Sequence, residues 1–204
     1  MSASPSIRVG VFDIGKVLLH FDFKRTTQRL ASRCSLPPHE MDKVWVSNLV
    51  DDYARGRLSC EEFAKQAARQ VGFSGAPEEF LEAWSDIFEP NPAMFDRVHR
   101  WKARGLRLFL LSNTCESHVR FFTKRWDIFR KFDGATYSCR VDALKPEPTI
   151  YRALLAEFGV EPADAVYLDD LEENIAAARA LGLRGIAYRN ESDLVARLAQ
   201  FGLD

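Results

Sequence analysis

The spacing of apolar positions changes character along the chain. Ile7–Phe12 is a short, mostly apolar run that ends at Asp13, which predicts a buried strand. From Phe23 to Phe88 the spacing is helical throughout, with Met41, Val44, Trp45 and Leu49 on one stripe. Ser59 and Glu62 form a capping box, with Leu58 and Phe63 at the staple positions around it. Phe63, Ala67 and Val71 share the next face, and Gly72 is the expected stop. After Pro77, Phe80, Trp84, Ile87 and Phe88 make a further stripe. The segment reads as a compact helical module, with Trp45 and Trp84 in its core rather than on a substrate platform.

Beyond Pro90 and Pro92 helices and strands alternate. Met94, Val98 and Trp101 predict a helix that stops near Gly105. Leu106–Leu111 predicts a strand of nearly continuous apolar character, as a parallel sheet covered on both faces requires. A helix is expected after Thr114, a strand around Ala135–Ser138, and a helix carrying Tyr151, Leu154, Leu155 and Phe158 that Gly159 closes. Ala165–Leu168 and Arg184–Ala187 predict strands, each followed by a helix, Glu172–Leu181 and Asp193–Phe201. The expected fold class is α/β, a doubly wound parallel sheet of Rossmann-like type with an inserted α-helical cap. Residues 1–20 and 90–204 would form the core domain and 21–89 the cap.

Composition narrows the function. The 204 residues carry 47% hydrophobic side chains, with 28 Lys+Arg against 29 Asp+Glu, so no basic excess exists for phosphate-backbone contacts and a nucleic-acid partner is not expected. Runs such as Leu108–Leu111 are too short to span a bilayer, and Met1–Gly10 lacks the apolar core of a signal peptide. Cys34, Cys60, Cys115 and Cys139 show no zinc spacing and read as reduced thiols, which suits a cytoplasmic protein. His20, His39, His99 and His118 make no metal-binding pair.

Doubly wound sheets bind ligands beyond the carboxyl ends of their strands, so chemistry is expected just after Phe12, Leu111, Ser138 and Leu168. Those places hold Asp13-Ile14-Gly15-Lys16, Ser112-Asn113-Thr114, Lys145-Pro146 and Asp169-Asp170. Carboxylates that meet at one sheet edge need a cation or proton between them, and an oxygen-only set suits Mg²⁺ with a substrate phosphate. A lysine opposite would balance the remaining phosphate oxygens, and Ser112 could donate to the same group. An Asp attacking phosphorus would give an aspartyl-phosphate.

The set resembles the four motifs of the haloacid dehalogenase superfamily, in order and spacing over essentially the whole chain. The resemblance implies Asp13 as nucleophile, Ser112 in the second motif, Lys145 in the third and Asp169-Asp170 in the metal-binding fourth. It also implies a first-subclass helical cap. More narrowly, Phe12-Asp13-Ile14-Gly15 with Phe21-Asp22-Phe23, and Gly56-Arg57-Leu58-Ser59 before Glu62-Phe63, is similar to bacterial sugar-phosphate phosphatases of the α-D-glucose 1-phosphate type, relatives of the epoxide hydrolase phosphatase domain. The resemblance implies a Mg²⁺-dependent phosphatase of a small phosphorylated metabolite, with a sugar phosphate as the expected substrate, acting as monomer or homodimer. Asp13, the Gly15 carbonyl, Asp170 and Asp169 would serve the metal, and Ser112, Asn113 and Lys145 the phosphate.

Two positions depart from the pattern. Gly15 stands where superfamily phosphatases carry a second Asp as general acid and base, a group ordinarily worth about 10²–10⁴-fold. Lys16 replaces the more usual Asn or Gly and is expected to point to solvent. His20 reads as a hinge residue, and nothing near Cys115 marks an activated thiolate. Two other functions use the same residues: a metal-free 2-haloacid dehalogenase, against which the paired acids count, and a non-hydrolysing binding domain, which Gly15 would suit.

Overall fold

The computed structural model describes residues 7–203, so the part of the leader reading that concerns the residues before Ile7 lies outside it. Strand β1 (Val9–Phe12) is followed by β2 (Leu19–Phe21) and then by helices α1 (Lys24–Leu30), α2 (Pro38–Val44), α3 (Asn48–Ala54), α4 (Cys60–Val71) and α5 (Pro77–Ser85). Strand β3 (Phe88–Pro90) leads into α6 (Pro92–Ala103), β4 (Arg107–Ser112), α7 (Glu116–Arg125), β5 (Gly134–Tyr137) and the short α8 (Ser138–Val141). The chain continues through α9 (Pro148–Phe158), β6 (Ala165–Asp169), α10 (Glu172–Ala180), β7 (Arg184–Ala187) and α11 (Glu191–Leu198).

The sheet runs β5-β4-β1-β6-β7 with every neighbouring pair parallel. Side chains alternate across it with the two-residue period of a strand. Phe12, Leu108, Leu110, Val166 and Leu168 point into one apolar layer, and Val9, Val11, Phe109, Leu111 and Tyr167 into the other. Helices cover both faces, which is why these strands read as continuous apolar runs. Because β1 is central and the chain proceeds first to β4 and β5, then to β6 and β7, the crevice flanking the end of β1 is the switch point.

The helical segment packs around its own cluster, in which Met41, Trp45, Phe63, Phe80 and Trp84 are buried. Trp45 donates its indole hydrogen to Thr27 Oγ1 at 2.8 Å. The capping box at Ser59 and Glu62 is present, and α4 stops at Gly72. One expectation fails. Residues 23–88 are not all helical: α5 ends at Ser85, and Phe88–Pro90 pairs with Leu19–Phe21 as an antiparallel ribbon. Pro90 and Pro92 hold the residues before them extended, so the stripe that ends in Ile87 and Phe88 does not continue as helix.

The turn after α3 rests on α8 and the loop that follows it. Arg55 pairs with Glu147 at 2.5 Å, Arg57 with Asp142 at 2.9 Å, and Ser138 donates to the Ala54 carbonyl at 2.6 Å. Gly56 adopts φ +79°, and a Cβ there would run into the Cys139 carbonyl. Gly56→Ala is therefore expected to lower stability by about 1–3 kcal/mol from backbone strain alone. A melting curve should show a Tm loss of roughly 2–12 °C.

Candidate active site

Three of the chemistry-bearing residues lie at the carboxyl edge because their strands end there: Asp13 follows β1, Ser112 closes β4 and Asp169 closes β6. Lys145 arrives on the loop between α8 and α9. Its ammonium lies 2.8 Å from Asp13 Oδ1 and 2.6 Å from Asp169 Oδ2, with the lysine side chain 2% exposed. Asn113 fixes that loop, donating to the Lys145 carbonyl at 3.0 Å and accepting from the Lys145 amide at 2.7 Å. The Asn113 side chain is thus engaged in placing the lysine, while the phosphate expectation for this residue concerns the backbone beside Ser112.

Asp169 is saturated. Its oxygens accept from Lys145, from the Leu171 amide at 2.9 Å, from Asn174 Nδ2 at 2.9 and 3.1 Å, and from the Tyr167 hydroxyl. Burial pushes its carboxyl up, but the Lys145 charge and hydrogen bond outweigh this and hold it below the usual carboxylate range. Asp13 is different. Burial pushes it up, Lys145 draws it back in part, and the Asp169 charge adds repulsion, which leaves it at about 6. Asp13 Oδ1 also accepts the Ile14 amide at 2.7 Å. Burial works against the Lys145 ammonium, yet the two carboxylates hold it above its ordinary value.

Asp170 faces the same cavity, and oxygens of Asp13, Asp169 and Asp170 lie within 4.8 Å of one another. The Lys16 ammonium is 3.4 Å from Asp170 Oδ2. Lys16 is exposed as expected, but it turns toward the site, from a backbone at φ +56°. That left-handed corner is what Asn or Gly adopts most readily. Three carboxylates facing two ammonium groups leave one net negative charge. Asn174 Oδ1, buried in the wall of this cavity of about 170 Å³, has no hydrogen-bond partner. An oxygen-rich set with an orphaned acceptor and residual negative charge fits a hard divalent cation.

Gly15 leaves room for an aromatic ring. A Cβ at position 15 would lie 2.9 Å from Phe21 Cε1, so the space of the missing second acid belongs to Phe21. His20 sits on β2 opposite Glu89 in the ribbon. At Cys115 burial pushes the thiol up, while His118 and the hydrogen bond to Ser117 bring it down to about 7. It is only 3% exposed, within the helical cluster. The sequence reading passed over Tyr167 and Asn174. Tyr167 was accessible to it, since two-residue alternation places Tyr167 and Asp169 on one face of β6.

A match to the haloacid dehalogenase-like hydrolase family spans residues 7–182. The chain is 25% identical over 197 residues to the D-ribitol-5-phosphate phosphatase of Bacteroides thetaiotaomicron, covering 90% of this chain and 92% of that one. It is 22% identical over 185 residues to the sesquiterpene phosphatase astK of Aspergillus oryzae, covering 89% of each. Among solved structures, a HAD family enzyme of Bacteroides thetaiotaomicron in complex with magnesium and inorganic phosphate superposes with a TM-score of 0.81 at 20% identity, over 92% of this chain and 98% of that one. The matched span takes in β1, β4, β5 and β6, four of the five parallel strands, with an acid after the central strand and a lysine-bridged acid closing its neighbour. The chain belongs to the haloacid dehalogenase-like hydrolase family.

Proposed function

We propose that the chain is a Mg²⁺-dependent phosphatase that hydrolyses a small phosphorylated metabolite through an aspartyl-phosphate on Asp13. The observation that carries this reading is the Asp13–Lys145 pair: a carboxylate opening on a cavity at the switch point, with a buried ammonium 2.8 Å away. The phosphatase names of the relatives support the reaction class.

Oδ1 of Asp13 is held by the Ile14 amide and by Lys145, so Oδ2 is assigned as the attacking oxygen. Oδ2 bonds to phosphorus as the bond from phosphorus to the ester oxygen breaks, and the departing oxygen takes a proton from water. A second water then attacks phosphorus, the bond to Oδ2 breaks, and phosphate leaves. Lys145 and Ser112 hold the transferring group, where positioned charge contributes most of the acceleration. Asp13, Asp170 and the Gly15 carbonyl would hold magnesium, which when bound supplies Lewis-acid charge compensation. Asp169, with its oxygens engaged, is assigned to fixing Lys145 rather than to direct ligation.

With an aryl phosphate as substrate, excess chelator is expected to stop turnover, and added Mg²⁺ to restore it. Asp170→Ala should raise the Mg²⁺ concentration for half-maximal rate by at least about tenfold. Undiminished turnover in chelator would sink the metal-dependent reading in favour of metal-free chemistry.

A further inference from the structure

The organic half of the substrate can be read from a second cavity. The resemblance implies a sugar there, whose hydroxyls would need polar partners. A cavity of about 230 Å³ adjoins the Asp13 site, and Gly15, Phe21, Ser112 and Asn113 line both. Its wall is apolar: Phe21 and Phe88 from the β2–β3 ribbon, Phe23, Ile14, Ile87, and Phe122 from α7. Of its four polar side chains, Ser112 is assigned to the phosphate, Thr114 offers one hydroxyl, and Asn113 and His118 are engaged elsewhere. Asn113 is bound to the Lys145 backbone. The His118 ring lies flat on Trp84 at 5.2 Å with Nε2 3.1 Å from the Trp84 carbonyl, and Phe88 meets its face edge-on at 5.0 Å. Apolar side chains also flank the adjoining Asp13 cavity, beside its charged groups. Among the described residues four large hydrophobic side chains stand exposed, and two of them, Phe21 and Leu171, line the Asp13 cavity.

From these walls we infer that the substrate is a phosphate monoester with a hydrocarbon leaving group, aromatic or branched, rather than a polyhydroxylated one. This rests on the phosphatase reading above. An apolar cavity of about 150 Å³ accepts benzene, so this one holds a ring with a short side chain. A sugar in the same place would bury most of its hydroxyls against phenyl rings, and those would lose their water without a replacement partner. The hydrocarbon would sit against Phe21, over the position that a second acid would otherwise occupy.

The test uses three primary alkyl esters, so that leaving-group reactivity is matched: 2-phenylethyl phosphate, ethyl phosphate and D-glucose 6-phosphate. The wild-type kcat/KM for the phenylethyl ester is expected to exceed both others by at least about 100-fold. Phe21→Ser should shrink the phenylethyl-to-ethyl ratio by at least about tenfold. Binding of the phenylethyl and ethyl esters to Asp13→Asn, followed by calorimetry, should show the same preference with a negative heat-capacity change. Equal or better turnover of glucose 6-phosphate overturns the inference and leaves the phosphatase reading standing. Preferential binding of the phenylethyl ester with no hydrolysis of any phosphate by the wild type supports the cavity and overturns the phosphatase reading. Absence of both turnover and binding overturns both.

Discussion

Asp13→Asn is expected to lose about 10⁴–10⁶-fold of kcat while the protein stays folded. An amide has the shape of the carboxylate but no oxygen able to form the phospho-enzyme, and its Oδ1 can still accept the Ile14 amide at the position where the carboxylate does so at 2.7 Å. Stability should move the other way from activity. Folding raises the Asp13 carboxyl to about 6, so at neutral pH the folded state holds a charge that the unfolded chain carries more easily. A neutral side chain escapes that penalty, and the Lys145–Asp169 pair remains intact at 2.6 Å. Tm measured near neutral pH should hold or rise. Acid quench during turnover of an aryl phosphate should trap phosphate covalently on the wild type and not on the variant. Wild-type turnover by the variant would remove Asp13 from the mechanism.

Lys145→Met should damage both the fold and the chemistry. The variant keeps the length of the side chain but leaves Asp13 and Asp169 facing each other, 7% and 0% exposed, without the cation that bridges them. Breaking a buried ion pair on one side typically costs about 3–5 kcal/mol. That corresponds to a Tm loss of roughly 6–20 °C for a chain of this size. At a temperature where the variant is folded, kcat should fall by about 10²–10³-fold, the usual consequence of removing one group that faces developing charge. Combining Lys145→Met with Asp13→Asn should recover part of the lost stability, because one of the two opposed charges is gone. A double-mutant cycle on the melting data measures that coupling, and strictly additive losses would show that the two side chains do not interact.

The sheet and the residues at its edge were legible because both depend on local signals. β1, β4 and β6 are buried on both faces, so their apolar runs stand out, and each is closed or directly followed by the polar group that marks the carboxyl edge. The β2–β3 ribbon was not legible. Its strands are three residues each, they pair Leu19–Phe21 with Phe88–Pro90 across the whole helical segment, and neither alternates long enough to show a period. Ile87 and Phe88 consequently extended a helical stripe that ends at Ser85. The role of Asn113 was hidden for a related reason. Its partner is the backbone of Lys145, and backbone contacts between distant loops leave no trace in side-chain patterns. Lys16 was half legible: its exposure was expected, but the left-handed corner that turns it toward Asp170 depends on the folded loop.

Positions 15 and 21 are coupled through space. The Phe21 ring stands 2.9 Å from where a Cβ at position 15 would be, so an acid cannot enter at 15 until the ring gives way. A lineage moving from this chain toward a proton-donating site would have to change Phe21 first, or accept a displaced ring. Reversing the order makes the same pair of substitutions pass through a different intermediate. The two positions are therefore expected to be epistatic: the effect of an aspartate at 15 should depend on what stands at 21, and screening either position alone would undervalue the pair.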